Sequence, residues 1–287
     1  MLYNEGVIYR EIYRWGEERL KQAEVPEAAE HARLLLEFCC GTDRNTLLVH
    51  GDRRVSAEEY DRYRDCIERR SKRIPLQYIT GEQVFMGLTF HVDQNVLIPR
   101  QDTEILVEEV MRRLHDGMRI LDLCTGSGCI LLSLLHYSNG CTGVGADLSG
   151  SALQTARENE GRVPGTNVTW IQSDLFENID TAERFDVIVS NPPYIRTDVI
   201  DSLMPEVKDY EPYPALDGKE DGLYFYREII AQAGAYLNPE GMLFFEIGYD
   251  QGEAVRRLME EAGYRELEVV KDYAGLDRVV FGEYVRR

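Results

Sequence analysis

The chain has 287 residues, 44% hydrophobic and 29% charged, and carries a net charge of −19. That length suits two domains better than one, and the apolar fraction supplies ample core. The charge weighs against a nucleic-acid substrate, because phosphate backbones are bound by Lys and Arg displacing counterions.

The imbalance is local. Up to Pro75 there are 14 basic and 15 acidic residues, net −1; beyond it there are 18 and 36, net −18. Solubility accounts for part of this acidity. Met1-Leu2-Tyr3-Asn4-Glu5 has neither the basic region nor the apolar core of a secretion signal, and the longest apolar stretch, Cys129 to Leu135, is far short of a membrane span. A cytoplasmic protein with no membrane partner is expected. The six cysteines form no CxxC pair and the five histidines no HxxxH, so buried thiols in a reducing compartment are expected and no metal.

Tyr3 to Arg73 reads as helical, with Ile8, Ile12 and Trp15, then Leu34, Leu35 and Phe38, at helical spacing. Pro26 suits a first helical turn and Gly41 a helix end. Ser56-Ala57-Glu58-Glu59 matches a capping box before an amphipathic stretch from Tyr60 to Arg73. No motif of chemistry lies here. A bundle that positions a partner and a purely structural cap are both open.

Pro75 breaks the helix, and the period changes. Val84, Met86, Leu88, Phe90 and Val92 alternate with Phe85, Gly87, Thr89 and His91, so a β-hairpin linker with turns at Gly81 and Gly87 is expected. A helix from Glu104 towards His115 follows. The expected division is a helical domain over 1–74, the linker over 75–103, and a catalytic domain over 104–287.

From Met118 onward strands and helices alternate. The expected strands are Arg119–Leu123, Thr142–Asp147, Val168–Gln172, Phe185–Ser190, Met242–Ile247, Glu266–Val270 and Arg278–Phe281. Helices fit Cys129–Tyr137, Ser151–Glu160, Gly222–Leu237 and Gly252–Ala262. Such alternation means an α/β fold with a parallel sheet wrapped by helices. Only Lys271 to Asp277 join the last two strands, too short for a parallel crossover, so the final strand should run antiparallel.

Ile120 to Gly128 reads as a strand, a glycine turn and a helix start. Ligands of doubly wound sheets bind at the carboxyl ends of the strands, where the order reverses. The turn Cys124-Thr125-Gly126-Ser127-Gly128 lets backbone approach a ligand. Asp147 ends the next strand, 21 residues after Gly126, where a carboxylate can accept ribose hydroxyls. Asp174 and Leu175 end the third, placed for an adenine amino group and ring. Leu131 stands where a dinucleotide fingerprint has its third glycine, and the chain has no GxxxxGK[ST] loop. The set fits S-adenosyl-L-methionine better than NAD or ATP.

Asn191-Pro192-Pro193-Tyr194 follows the apolar run Phe185 to Ser190, and the prolines must end that strand. An amide side chain, freed carbonyls and an aromatic face at one strand tip suit a planar –NH2 group. Asn191, Pro192 and Tyr194 are therefore the candidate catalytic residues. With Pro193 they form the candidate substrate site, and Asn191 also faces the cofactor.

Several motifs coincide: Pro75-Leu76-Gln77-Tyr78-Ile79-Thr80-Gly81, Pro99 to Glu104, Asp122 to Gly128, Asn191 to Tyr194, Glu211-Pro212 with Ala215-Leu216, and Glu246-Ile247-Gly248. On these, nearly the whole chain resembles the release-factor glutamine N5-methyltransferases of the HemK/PrmC type. The resemblance implies a Rossmann-like class I methyltransferase sheet of seven strands, the last antiparallel, behind a small helical substrate-recognition domain and a hairpin linker. It also implies methyl transfer from S-adenosyl-L-methionine to the glutamine side-chain amide in the Gly-Gly-Gln motif of peptide chain release factors. The expected partner is thus a protein substrate, with no direct nucleic-acid substrate and a monomeric state. A ribosomal-protein glutamine is the nearest rival. A DNA adenine N6-methyltransferase shares the tetrapeptide, but the charge opposes it.

Cys124 stands where many relatives carry glycine, and Gln101 replaces a common proline. Tyr78, Phe85, Phe90 and Arg100 read as core or linker ahead of substrate contact. The loop from Glu211 to Gly222 is open between a lid and an ordinary surface loop.

Overall fold

A computed structural model of the protein describes residues 6–285; Met1 to Glu5, including the expected helical start at Tyr3, lie outside the described residues. The helices are α1 (Tyr9–Gln22), α2 (Ala28–Cys40), α3 (Arg44–Val49), α4 (Ala57–Ser71), α5 (Leu76–Thr80), α6 (Gln101–Met111), α7 (Cys129–Tyr137), α8 (Gly150–Glu160), α9 (Thr197–Ile200), α10 (Pro205–Lys208), α11 (Tyr224–Ala233) and α12 (Gly252–Glu261). The strands are β1 (Glu82–Phe85), β2 (Leu88–His91), β3 (Arg119–Leu123), β4 (Thr142–Asp147), β5 (Val168–Gln172), β6 (Phe185–Ser190), β7 (Leu237–Glu246), β8 (Tyr264–Lys271) and β9 (Asp277–Tyr284). No helix among the described residues is long and apolar enough to cross a membrane. The chain forms two compact units: one of Met1–Gly81 with Met204–Tyr210, the other of Glu82–Leu203 with Glu211–Arg287.

The first unit is helical. Ile12, Leu35, Leu36, Tyr63 and Ile67 are buried in its core. The capping box forms: Glu59 N donates to Ser56 Oγ at 3.2 Å and Ser56 N donates to Glu59 Oε2 at 2.8 Å. Gly41 ends α2 in the left-handed conformation. Pro26 differs from expectation and precedes α2 instead of sitting in its first turn. Pro75 both follows one helix and starts the next, because its fixed φ suits helix initiation as well as it blocks continuation. In this unit the Glu206 carboxylate accepts from Arg70 Nη2 and from Arg73 Nε and Nη2, each at 2.7 Å. Arg70 Nε donates to His31 Nδ1 at 3.2 Å.

The second unit is a seven-stranded sheet in the order β5-β4-β3-β6-β7-β9-β8. β9 pairs antiparallel with both β7 and β8, while β3 to β7 pair in parallel. Apolar clusters cover both faces. The turns of α7 from Cys129 to Leu135 are buried all round, as an apolar helix packed on a sheet must be. The β1–β2 hairpin turns at Met86-Gly87, both with positive φ, and buries Phe85 and Phe90 in the core of this unit. Met86 N donates to Glu104 Oε1 at 2.7 Å, which ties the turn to α6. α6 begins at Gln101, one turn earlier than expected. α11 ends at Ala233, because Leu237 is taken into β7 opposite Phe185.

Candidate active site

Strand order reverses between β3 and β6, and a cavity of about 350 Å³ opens at their carboxyl ends. β3 carries Asp122, which is fully buried. Its Oδ2 accepts from Thr125 Oγ1 at 2.5 Å, while Oδ1 has no hydrogen-bond partner among the described residues. Burial pushes this carboxyl up to about 7. Cys124 and Leu175, both in the cavity wall, have left-handed backbones with φ of 59° and 47°. Non-glycine residues held in this way store strain, as functional sites often do.

Gly126 is also left-handed, at φ 55°, and a Cβ built there meets nothing within 4 Å. Its backbone is therefore bare towards the cavity. Gly128 is different. A Cβ there would lie 2.8 Å from Trp170 Cη2, so this glycine serves the packing of α7, and it does not line the cavity.

The turn is held by Asp147 at the end of β4. Gly126 N donates to Asp147 Oδ2 and Ser149 N to Oδ1, both at 2.9 Å. Each oxygen keeps a lone pair, so the carboxylate can still receive a pair of hydroxyls. Burial raises its pKa, opposed by these two N–H donors. Asp174 and Leu175 continue the same wall. Arg100 is the basic residue of the wall, and its Nη2 lies 2.5 Å from Glu211 Oε1. Asp147 and Asp174 thus face a cavity whose cation is already paired. Such a donor set fits a nucleoside ligand carrying positive charge and gives a polyphosphate little to hold.

At the tip of β6, Ser190 Oγ donates to the Leu123 carbonyl at 2.7 Å and locks the two strand ends together. Asn191 and Pro193 line the cavity; Pro192 and Tyr194 do not. The Tyr194 ring packs against the core, and its hydroxyl donates to Glu246 Oε1 at 3.3 Å. Asn191 Nδ2 lies 3.5 Å from Thr103 Oγ1.

Of the residues named from sequence, Cys124, Thr125, Gly126, Ser127, Asp147, Asp174, Leu175, Asn191 and Pro193 are brought together around one cavity. Missed were Thr103 and Phe225, which also line it, and Glu246, which stands behind it. Thr103 and Glu246 sit in segments that carry motifs, but nothing local tells which partner they meet. Pro212, Pro214 and Ala215, from the loop left open as lid or surface, complete the wall. That loop is pinned at its base by Gly218 N donating to Ile195 O at 2.7 Å and Thr197 Oγ1 donating to Asp217 Oδ1 at 2.6 Å.

Residues 11–81 match the PrmC N-terminal domain family, and residues 99–205 match the methyltransferase small domain family. The release factor glutamine methyltransferase of Geobacter sulfurreducens is 42% identical over 273 residues, 95% of each chain. That of Clostridium botulinum is 40% identical over 283 residues, 96% of this chain and 98% of its own. The chain belongs to the release factor glutamine methyltransferase family. A solved methyltransferase from Pyrococcus furiosus shares the fold, with a TM-score of 0.51 at 16% identity over 71% of this chain and 92% of that one. The sheet is thus that of a class I methyltransferase, with β9 as its antiparallel strand.

Proposed function

We propose that the protein transfers a methyl group from S-adenosyl-L-methionine to the side-chain amide nitrogen of the glutamine in the Gly-Gly-Gln motif of peptide chain release factors. The observation that carries this reading is the Asn191 amide, set in the same cavity wall as the bare Gly126 turn and Asp147. When bound, the cofactor supplies an electrophilic methyl carbon on its sulfonium. Asp147 would hold the ribose hydroxyls, and Asp174 with Leu175 the adenine. Recognition of the release factor is assigned to the helical domain over 1–74, joined through the linker 75–103 to the catalytic domain over 104–287.

A glutamine amide nitrogen is a poor nucleophile because its lone pair is delocalised into the carbonyl. Asn191, in the cavity wall, would accept one of its N–H bonds through Oδ1 and hold the nitrogen with its lone pair turned into the cavity. As that nitrogen becomes tetrahedral it gains positive charge, and the fixed amide dipole of Asn191 would bind it more tightly. Pro193 stiffens the tip, and Tyr194 sets it from behind through Glu246. No general base is required, because the methylated, positively charged amide is acidic enough to release its proton to water.

The same tetrapeptide would serve a flipped adenine, but the acidic chain opposes a DNA substrate. Incubation with labelled S-adenosyl-L-methionine and separate pools of release factor, ribosomal protein and DNA tests the reading, with the labelled atom located by mass spectrometry. Label on a release-factor glutamine is expected; label confined to DNA or to ribosomal protein refutes the assignment. Asn191→Ala should abolish turnover and leave cofactor binding by calorimetry largely intact. Equal loss of both would mean that Asn191 chiefly builds the cofactor site.

A further inference from the structure

Behind the cavity wall lies a buried carboxamide with a partner at every position. Gln251, the residue before α12, is 8% exposed. Its Nε2 donates to the Tyr194 carbonyl at 3.0 Å and to the Gly222 carbonyl at 3.2 Å. Its Oε1 accepts from Gly248 N at 2.9 Å and from the Tyr226 hydroxyl at 3.4 Å. A carboxamide gives two hydrogen bonds and takes two, so its capacity is full. Turned end for end, it would set oxygen against two carbonyls, and only one orientation fits.

The segments joined in this way are far apart in sequence: the end of the tetrapeptide, the end of the Glu211 to Gly222 loop, and the turn after β7. Backbone bonds continue the joint between the first two. Ile195 N donates to Leu216 O at 3.0 Å, Gly218 N to Ile195 O at 2.7 Å, and Thr197 N to Lys219 O at 3.0 Å. The approach leaves no room for side chains. A Cβ at Gly218 would lie 2.7 Å from the Tyr194 carbonyl carbon, and one at Gly222 would lie 2.5 Å from Tyr194 O and 2.7 Å from Gln251 Nε2.

We infer that Gln251 is a positioning residue for the methyl acceptor. It fixes the Asn191 to Tyr194 tip relative to Pro212, Pro214 and Ala215, and so sets the opening through which an amide reaches Asn191; the inference rests on the proposed transfer to a glutamine amide. Both strips line the cavity with prolines, which have no N–H to tie them there. The tie therefore falls just beyond, at the Tyr194 and Gly222 carbonyls, and Gln251 supplies its donors. The cofactor end of the cavity is built separately, from Asp147 at the end of β4 and from Asp174 and Leu175 after β5. Loss of the tie should thus misplace the acceptor and spare the cofactor.

Two readouts test this. Gln251→Glu is nearly isosteric but sets an oxygen against both carbonyls, and Gln251→Leu removes all four bonds. In either, kcat on release factor at saturating cofactor should fall about tenfold or more, with cofactor affinity by calorimetry within about threefold. Gly218→Ala presses on Tyr194 from the loop side and should reproduce that split, so it carries the test if the Gln251 variants do not fold. In the protein without substrate, Gln251→Glu should speed hydrogen exchange about tenfold or more at the Ile195, Thr197 and Gly218 amides, with β3 and β4 as protected as in wild type. Unchanged exchange at those three amides overturns the inference. So does faster exchange throughout the sheet, or cofactor affinity falling as far as kcat, since either makes Gln251 a general support of the fold. Wild-type protein that methylates no release factor, alongside the local exchange response, would sink the substrate assignment and leave the tie standing.

Discussion

Replacing Glu206 by Gln should destabilise the helical unit by about 3 kcal/mol at neutral pH. The carboxylate takes three charge-assisted hydrogen bonds at 2.7 Å, and one of its partners, Arg70, is only 3% exposed. Burial alone would raise the Glu206 pKa, but Arg73 and Arg70 overcome it and hold the carboxyl at about 2 against an ordinary 4.5. At about 1.36 kcal/mol per pKa unit, that depression is worth about 3 kcal/mol, which agrees with the roughly 3–5 kcal/mol lost when one partner of a buried pair is removed. Because the folded pKa is depressed, the contribution is complete above about pH 5 and is lost as pH falls towards 2, with roughly half remaining at pH 3. The chain has two tryptophans, Trp15 in this unit and Trp170 in the other, so a Trp170→Phe background leaves one reporter. Urea unfolding followed by Trp15 emission at pH 7, 5 and 3, with and without Glu206→Gln in that background, then gives the stability gap directly. A gap below about 0.5 kcal/mol at pH 7, the range of an ordinary surface change, or one that does not shrink at pH 3, would refute the reasoning.

Trp170 should report the opposite slope in the sheet unit. Asp122 and Glu246 are both pushed up to about 7 by burial, so the folded state keeps protons that the unfolded chain has released, and stability should fall as pH rises from about 4 to 7. Asp122→Asn should flatten that slope in urea titrations on a Trp15→Phe background. Gly126→Ala should cost about 1 kcal/mol for its left-handed backbone, yet weaken cofactor binding in calorimetry, because its Cβ enters open cavity space. Gly128→Ala adds a collision with Trp170 at 2.8 Å and should lose about 1–3 kcal/mol more in thermal melts, with cofactor affinity of the folded protein little changed.

Much of the fold was legible because its signals are local. β3, β4, β5 and β6 have the bounds read from their apolar runs, each closed by residues that end a strand. The antiparallel last strand followed from the length of one connection. Elements failed where one residue serves two purposes: Pro75 begins α5 as well as ending what precedes it, and Leu237 belongs to β7 through its pairing with Phe185, beyond the end of α11.

The site divides in the same way. Strand, glycine turn and ribose acid stand in a fixed order along the chain, so Gly126 and Asp147 can be named from spacing, as can Asn191 from the prolines beside it. Roles set by a distant neighbour cannot. Gly128 looks like Gly126 until Trp170 is seen against it, and Tyr194 looks like a substrate platform until its hydroxyl is found on Glu246. Thr103 meets Asn191 across 88 residues of chain. Covalent order and period thus determined which backbone elements form and where a ligand could enter. Only the packed structure decided which polar groups lost their water and had to find one another, because desolvation depends on neighbours in space and leaves no trace in the order of the residues.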